Sequence, residues 1–141
     1  MPDSNARRRL DILIVEDNPA DVRMVREALL AADIPHDLHV ATDGEQALLF
    51  LLREGAYGRA PRPDLVLLDL RLPMSNGFGV LAAIRAHRQL QALPVVILTG
   101  SSLREDELRS YTAAADLFMT KPEGLDAYID AVKRLQNLVP A

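Results

Sequence analysis

The chain has 141 residues, about the length of one domain, and its 49% hydrophobic and 26% charged residues are typical of a globular protein with one buried core. The formal net charge of −4 gives no electrostatic support to nucleic-acid binding, and the absence of cysteine excludes disulfides, thiolate zinc sites and cysteine nucleophiles. No apolar run approaches the roughly 20 residues of a membrane span, and the N-terminus lacks an apolar export signal, so we expect a cytoplasmic protein.

The N-terminal residues differ in character from the rest of the chain. Residues 1–9 are polar and include the run Arg7-Arg8-Arg9, which predicts a flexible basic tail. An arginine run can contact an acidic partner, but a solvated arm is the commoner outcome. We expect residues 10–141 to form a single domain.

The first half of this domain has the pattern strand, helix, strand, helix. The apolar run Leu10–Val15 predicts a strand. Asn18 and Pro19 then supply an N-cap and a first-turn proline, and Asp21 complements the dipole of the helix that they begin. The second strand and helix are predicted over Asp37–Ala41 and from Thr42 to about Arg53.

The second half continues the same alternation after a long loop over residues 54–63. The run Leu65–Asp69 is apolar without alternation, as expected of a strand covered by helices on both faces. Five such strand–helix units predict an α/β protein with a flavodoxin-like, doubly wound, five-stranded parallel sheet of order 2-1-3-4-5 and five helices. The remaining elements are a third helix after residue 77, strands over Pro94–Thr99 and Leu117–Thr120, a helix over 102–114 and a last helix from Leu125.

Polar residues of complementary kinds follow four of the predicted strands. Glu16 and Asp17 follow the first strand and Asp69 follows the third. Thr99 ends the fourth strand and Lys121 follows the fifth. Because the carboxyl ends of parallel strands meet at one edge of a sheet, we expect these side chains to converge. Clustered carboxylates repel unless a cation binds them, and oxygen-only ligands favour Mg²⁺ or Mn²⁺ over zinc.

Each of these residues also has an ordinary structural interpretation. Taken singly, Asp69 could cap a turn, Thr99 could bond to the backbone, and Lys121 could be an exposed loop charge. The Lys121–Pro122 bond lies in a predicted tight turn, where a cis peptide is one option. The ordered combination is far more specific than any one member.

That combination resembles the receiver domain of two-component response regulators. The resemblance covers residues 10–139, and Pro73, Gly77 and Gly100 match the family pattern as well. It implies that Asp69 accepts a phosphoryl group. It further implies a metal site formed by Glu16, Asp17, Asp69 and the backbone carbonyl of Arg71. Thr99 and Lys121 would contact the phosphoryl oxygens. Thr99 and Phe118 would form the conformational switch.

A narrower resemblance concerns the partners. The segment VEDNPADVRMVREAL and the long loop before PRPDLVLLD are similar to stand-alone receivers paired with phytochrome-type sensor kinases. This implies a sensor histidine kinase, of bacteriophytochrome type, as phosphodonor and an unidentified protein as the downstream target, with no DNA or membrane binding. The wider resemblance to receiver domains also implies a homodimer through the predicted 102–114 helix, the fifth strand and the last helix.

Two features depart from the commonest receiver pattern. The switch position holds Phe118 rather than tyrosine, and Arg71 lies where an attacking water would approach. Arg71 also occupies the place where an Asp-nucleophile phosphatase needs a second acid, which argues against that enzyme. A flavodoxin-like cofactor site is disfavoured because the carboxylates of EDNPAD repel a phosphate. A receiver used only for docking, without phosphorylation, is the remaining alternative.

Overall fold

The computed structural model describes residues 8–69, 77–100 and 115–139. Arg71, the predicted 102–114 helix and most of the predicted N-terminal tail lie outside these ranges. The strands are β1 (Leu10–Val15), β2 (His36–Ala41), β3 (Leu65–Leu68), β4 (Val95–Thr99) and β5 (Leu117–Thr120). The α-helices of the described ranges are α1 (Pro19–Ala31), α2 (Gly44–Leu52), α3 (Gly77–Ala86) and α4 (Leu125–Gln136).

The five strands form one parallel sheet in the order β2-β1-β3-β4-β5, which confirms the predicted topology. In the register of β1 and β3, Val15 lies opposite Leu68. The residues that follow them, Glu16 and Asp69, therefore leave the sheet side by side. This pairing places two carboxylates at the same point of the sheet edge.

The hydrophobic core consists of two layers, one on each face of the sheet. Alternate strand residues serve opposite faces, as the two-residue period of a strand requires. Leu13 and Leu68 belong to the cluster that α2 and α3 cover, whereas Ile14 and Leu67 belong to the cluster that α1 and α4 cover. The continuous apolar character of β3 is thus explained by helices on both sides.

The first two helices begin at side-chain caps. The Asn18 side chain accepts a hydrogen bond from the backbone N–H of Ala20 at 2.9 Å, and Pro19 occupies the first turn of α1. Asp43 accepts a hydrogen bond from the N–H of Gln46 and so caps α2, which begins at Gly44. The cap of α1 fixes the direction in which its first turn, including Asp21, faces the sheet edge.

A side-chain tie joins the starts of β4 and β5. One oxygen of Asp116 accepts hydrogen bonds from the backbone N–H of Val95 and from the guanidinium of Arg85, both at 2.8 Å. Arg85 also donates to the carbonyls of Gln91 and Leu93. These bonds hold the two strands in the register that brings Thr99 and Lys121 to the same edge.

Details of the fold differ from the sequence-based prediction at several boundaries. Strand β2 begins at His36, one residue earlier than predicted, and β3 ends at Leu68 rather than Asp69. The long loop contains a 3₁₀ turn over Gly55–Tyr57. The Lys121–Pro122 peptide is trans, since the described residues contain no cis bond. In the described ranges, every helix is too short or too polar to cross a membrane.

Candidate functional site

Three carboxylates meet at the carboxyl edge of the sheet, as the sequence predicts. Glu16 and Asp17 follow β1, and Asp69 follows β3. One oxygen from each lies within 4.8 Å of the others. Glu16 is only 3% exposed and Asp69 only 6%, whereas Asp17 faces solvent. Two nearly buried acids beside an exposed third leave one open side through which an ion or a phosphoryl donor can enter.

The Lys121 ammonium forms ion pairs with two of these carboxylates and with a fourth, that of Asp21. Its ammonium Nζ lies 2.6 Å from a Glu16 oxygen, 2.6 Å from Asp21 and 3.3 Å from Asp69. The Lys121 side chain is 15% exposed, so it is a partly buried group of the site and not an exposed loop charge. Three carboxylates therefore share the three N–H donors of one ammonium.

Burial and the close packing of like charges change the pKa values of two groups in the site. Burial raises the pKa of Glu16 to about 7; the neighbouring Asp69 adds to the increase, while the hydrogen bond from Lys121 opposes it. For Lys121, burial favours the neutral amine, but its contacts with Asp21 and Glu16 outweigh burial and raise its pKa. The ammonium thus stays charged, and the site without a cation holds more negative charge than one lysine neutralises.

The donor set fits a hard divalent cation. All three clustered ligands are carboxylates, and in the described residues no histidine or cysteine joins them. Oxygen ligands of this kind are those that Mg²⁺ and Mn²⁺ prefer. A cation there would also relieve the repulsion from Asp69, which adds to the effect of burial in raising the pKa of Glu16. The predicted contribution of the Arg71 carbonyl lies outside the described residues.

The two predicted switch residues lie on the neighbouring strands. Thr99 ends β4 and pairs in register with Thr120, although its side chain is outside the described part of the structure. Phe118 pairs with Ile97 and packs, partly buried, against the core cluster under α2 and α3. The backbone positions of both residues are those expected from the sequence.

The structure adds one site residue that the sequence interpretation did not assign. From the sequence, Asp21 is a first-turn residue that complements the helix dipole; in the structure its carboxylate is as close to Lys121 as that of Glu16. The buried Tyr128 of α4 also lies near this group: burial raises its pKa, and the negative charge of Asp21 adds to the shift. No local sequence pattern could show the contact between Asp21 and Lys121, because the two residues are 100 positions apart in sequence.

The fold and the edge site together define a receiver of the two-component type, and comparison with known families agrees. The family profile described as the response regulator receiver domain matches residues 12–133. The chain therefore belongs to the response regulator receiver family. Membership makes it a response regulator domain and separates it from the flavodoxins, which share its sheet order.

Within the receiver family, the chain is similar to the response regulator Rcp1. Response regulator Rcp1 of Synechocystis sp. is 40% identical over 126 residues, which cover 89% of this chain and 86% of Rcp1. The structure of the Mn²⁺-bound form of Rcp1 superposes with a TM-score of 0.81 at 38% identity, covering 94% and 99% of the two chains.

Two further solved structures are similar. The phosphorylated cyanobacterial phytochrome response regulator RcpA has a TM-score of 0.83 at 38% identity and 94% coverage of both chains. The bacteriophytochrome response regulator AtBRR has a TM-score of 0.78 at 34% identity, covering 96% of this chain and 97% of AtBRR. The likeness to phytochrome response regulators that the sequence suggested is confirmed.

The raised pKa of Glu16 predicts how metal-free stability depends on pH. Since the folded protein holds this proton more tightly than the unfolded chain, Glu16 favours folding at low pH, and this contribution is lost as the pH rises from about 4.5 to about 7. The loss should amount to at most about 3 kcal/mol.

Urea unfolding in EDTA between pH 5 and 8 measures this contribution. Glu16→Gln, which cannot ionise, should flatten the dependence, whereas Asp126→Asn on the exposed first turn of α4 should leave it unchanged. An equally steep dependence in wild type and Glu16→Gln would show that Glu16 does not carry it.

Proposed function

We propose that the protein accepts a phosphoryl group from a sensor histidine kinase onto Asp69, in a Mg²⁺-dependent reaction, and signals by a change in conformation. One observation carries the proposal: the nearly buried Asp69 carboxylate lies beside two other acids, with which it can hold a cation, and 3.3 Å from the Lys121 ammonium. A nucleophile, a metal site and a fixed positive charge are the parts that phosphoryl transfer requires.

The transfer step follows from the placement of Asp69. One Asp69 oxygen attacks the phosphorus of a phosphohistidine, forming a P–O bond as the P–N bond breaks, and the departing imidazole retains the electron pair and takes a proton from solvent. The product is an acyl phosphate. Lys121 is positioned to donate hydrogen bonds to the oxygens of the phosphoryl group once it is attached.

The cation of this site is proposed to be Mg²⁺ or Mn²⁺. Glu16, Asp17 and Asp69 would hold it, with the Arg71 carbonyl as a further ligand. When bound, it would supply positive charge to the phosphoryl oxygens and reduce their repulsion of the attacking carboxylate. The Mn²⁺-bound form of Rcp1 supports this choice of ion.

The conformational change is proposed to run through Thr99 and Phe118. A phosphoryl group on Asp69 would attract the Thr99 hydroxyl, and Phe118 would move inward into the space this leaves. Phe118 has no hydroxyl to report its state by a hydrogen bond, so packing alone would drive its change. Shifting the ratio of two conformations from 1:99 to 99:1 needs about 5.5 kcal/mol of differential binding.

The kinase partner is proposed to be of phytochrome type, bacteriophytochrome included. RcpA and AtBRR, the one a phytochrome and the other a bacteriophytochrome response regulator, support this choice. An open groove borders the site at Glu16 and Asp17, and its lining includes Val22 and Arg26 of α1. The downstream target would be another protein, with neither DNA nor membrane involved.

A transfer assay tests the central proposal. With a small phosphodonor and Mg²⁺, wild type should gain one acid-stable, base-labile phosphoryl group, because an acyl phosphate hydrolyses readily in base. Asp69→Asn should gain none, and EDTA should abolish labelling of wild type. Intact-mass spectrometry measures the added group.

Asp64→Asn is the matched control for this assay. Asp64 lies at the other end of β3, where its carboxylate accepts a hydrogen bond from the N–H of Asp11, which an asparagine oxygen can still accept. This variant should be labelled like wild type. Equal labelling of Asp69→Asn would overturn the assignment, and an unlabelled wild type would favour a phosphorylation-independent docking module.

Self-association is a separate proposal. The proposed dimer surface consists of β5, α4 and the predicted 102–114 helix. The sequence predicted to form that helix contains charges of both signs, including Arg104, Glu105 and Arg109, and such a patch could be self-complementary across a two-fold axis. We expect a homodimer through this surface. Light scattering at micromolar concentrations should give twice the monomer mass with beryllofluoride, and also without it if the dimer forms before phosphorylation. A monomer mass under every condition would contradict the proposal.

A further inference from the structure

The Lys121 ammonium has two kinds of carboxylate partner. Glu16 and Asp69 belong to the cluster of oxygens suited to a cation, and both also accept from Lys121. Asp21 contacts Lys121 at 2.6 Å but is not a member of that cluster. Lys121 therefore stands between the proposed metal ligands and a carboxylate that has no part in the metal site.

This arrangement creates a competition between two positive charges. A divalent cation needs oxygen lone pairs of Glu16 and Asp69 that the ammonium engages in the described structure. At such short distances the two cations also repel each other. Binding of the metal is therefore easier if the ammonium keeps a strong acceptor elsewhere.

Asp21 has the position that such an acceptor requires. It lies in the first turn of α1, whose direction is fixed by the Asn18 cap and Pro19. Its side chain is 25% exposed, so it lies at the rim of the site, between Lys121 and solvent. Its contact with Lys121 is as short as that of Glu16 and shorter than that of Asp69.

We propose that Asp21 is a positioning residue that holds the Lys121 ammonium when a divalent cation takes Glu16 and Asp69. Asp21 thereby lowers the competition between lysine and metal, and it keeps the ammonium at the edge of the site, within reach of a phosphoryl group on Asp69. This inference rests on the proposed metal site. It assigns Asp21 as a fourth acid that supports the site without binding the metal.

A double-mutant cycle separates this role from two simpler ones. If Asp21 acts through Lys121, its loss should weaken metal binding only while Lys121 is present. If Asp21 is itself a ligand, or merely adds negative charge nearby, its loss should weaken binding equally with or without Lys121. The difference between the two backgrounds is the coupling of the two residues.

The experiment measures Mn²⁺ affinity from the free-ion signal in electron paramagnetic resonance. The proteins are wild type, Asp21→Asn, Lys121→Ala and the double variant, each checked for folding by circular dichroism. Asp21→Asn should weaken Mn²⁺ binding about tenfold, the lower end of what loss of an outer-shell partner costs a metal site. In the Lys121→Ala background the same substitution should change the affinity by less than about twofold.

Asp126→Asn is the matched control, because it removes a first-turn aspartate of α4 that is exposed and is not an ion-pair partner of Lys121. It should bind Mn²⁺ like wild type. Equal weakening by Asp21→Asn in both backgrounds, or no weakening in either, would overturn the role of Asp21 and leave the metal site intact. A wild-type protein that binds no Mn²⁺ would overturn the metal site itself, and this inference with it.

Discussion

The repulsion among carboxylates at one edge of the sheet is the constraint on which the site depends. Glu16 and Asp69 are nearly buried next to each other, and the raised pKa of Glu16 is the direct consequence. Lys121 makes the arrangement tolerable by pairing with both of them. One ammonium does not neutralise the whole cluster, so the site keeps an affinity for further positive charge, which is what a divalent cation supplies.

The fold produces this repulsion and also holds it in place. Parallel strands with two covered faces are secured by apolar burial along their whole length, so the polar residues that follow them have no freedom to separate. The register that sets Val15 opposite Leu68 fixes the spacing of the two buried acids. The tie between Asp116, Val95 and Arg85 does the same for the strands that present Thr99 and Lys121. Core stability thus maintains a locally unfavourable site.

Much of this could be predicted from the sequence, because the information is local or periodic. The apolar runs gave the five strands, and their alternation with helices gave the sheet order. Glu16, Asp17 and Asp69 could be brought together because each directly follows a strand. The boundaries of β2 and β3 shifted by one residue, since strand ends depend on hydrogen bonding and not on hydrophobicity alone.

What the sequence did not show depends on contacts between distant residues. Asp21 has the appearance of an ordinary helix-start residue, and only the folded chain, in which α1 packs against α4, makes it a partner of Lys121. The sequence places Lys121 at the edge of the site, but it does not show that three acids pair with its ammonium, because those pairs depend on how distant segments pack. Charge networks of this kind form after the fold is fixed and leave no periodic signal.

The most direct test of the account is chemical identification of the phosphorylated residue. Borohydride reduces the carbonyl of an acyl phosphate, so a phosphorylated aspartate becomes homoserine, which peptide mass spectrometry locates without any substitution in the site. We expect homoserine at position 69 alone after treatment with a phosphodonor and Mg²⁺. Homoserine at another aspartate, or none in a protein that carries the phosphoryl group, would contradict the account.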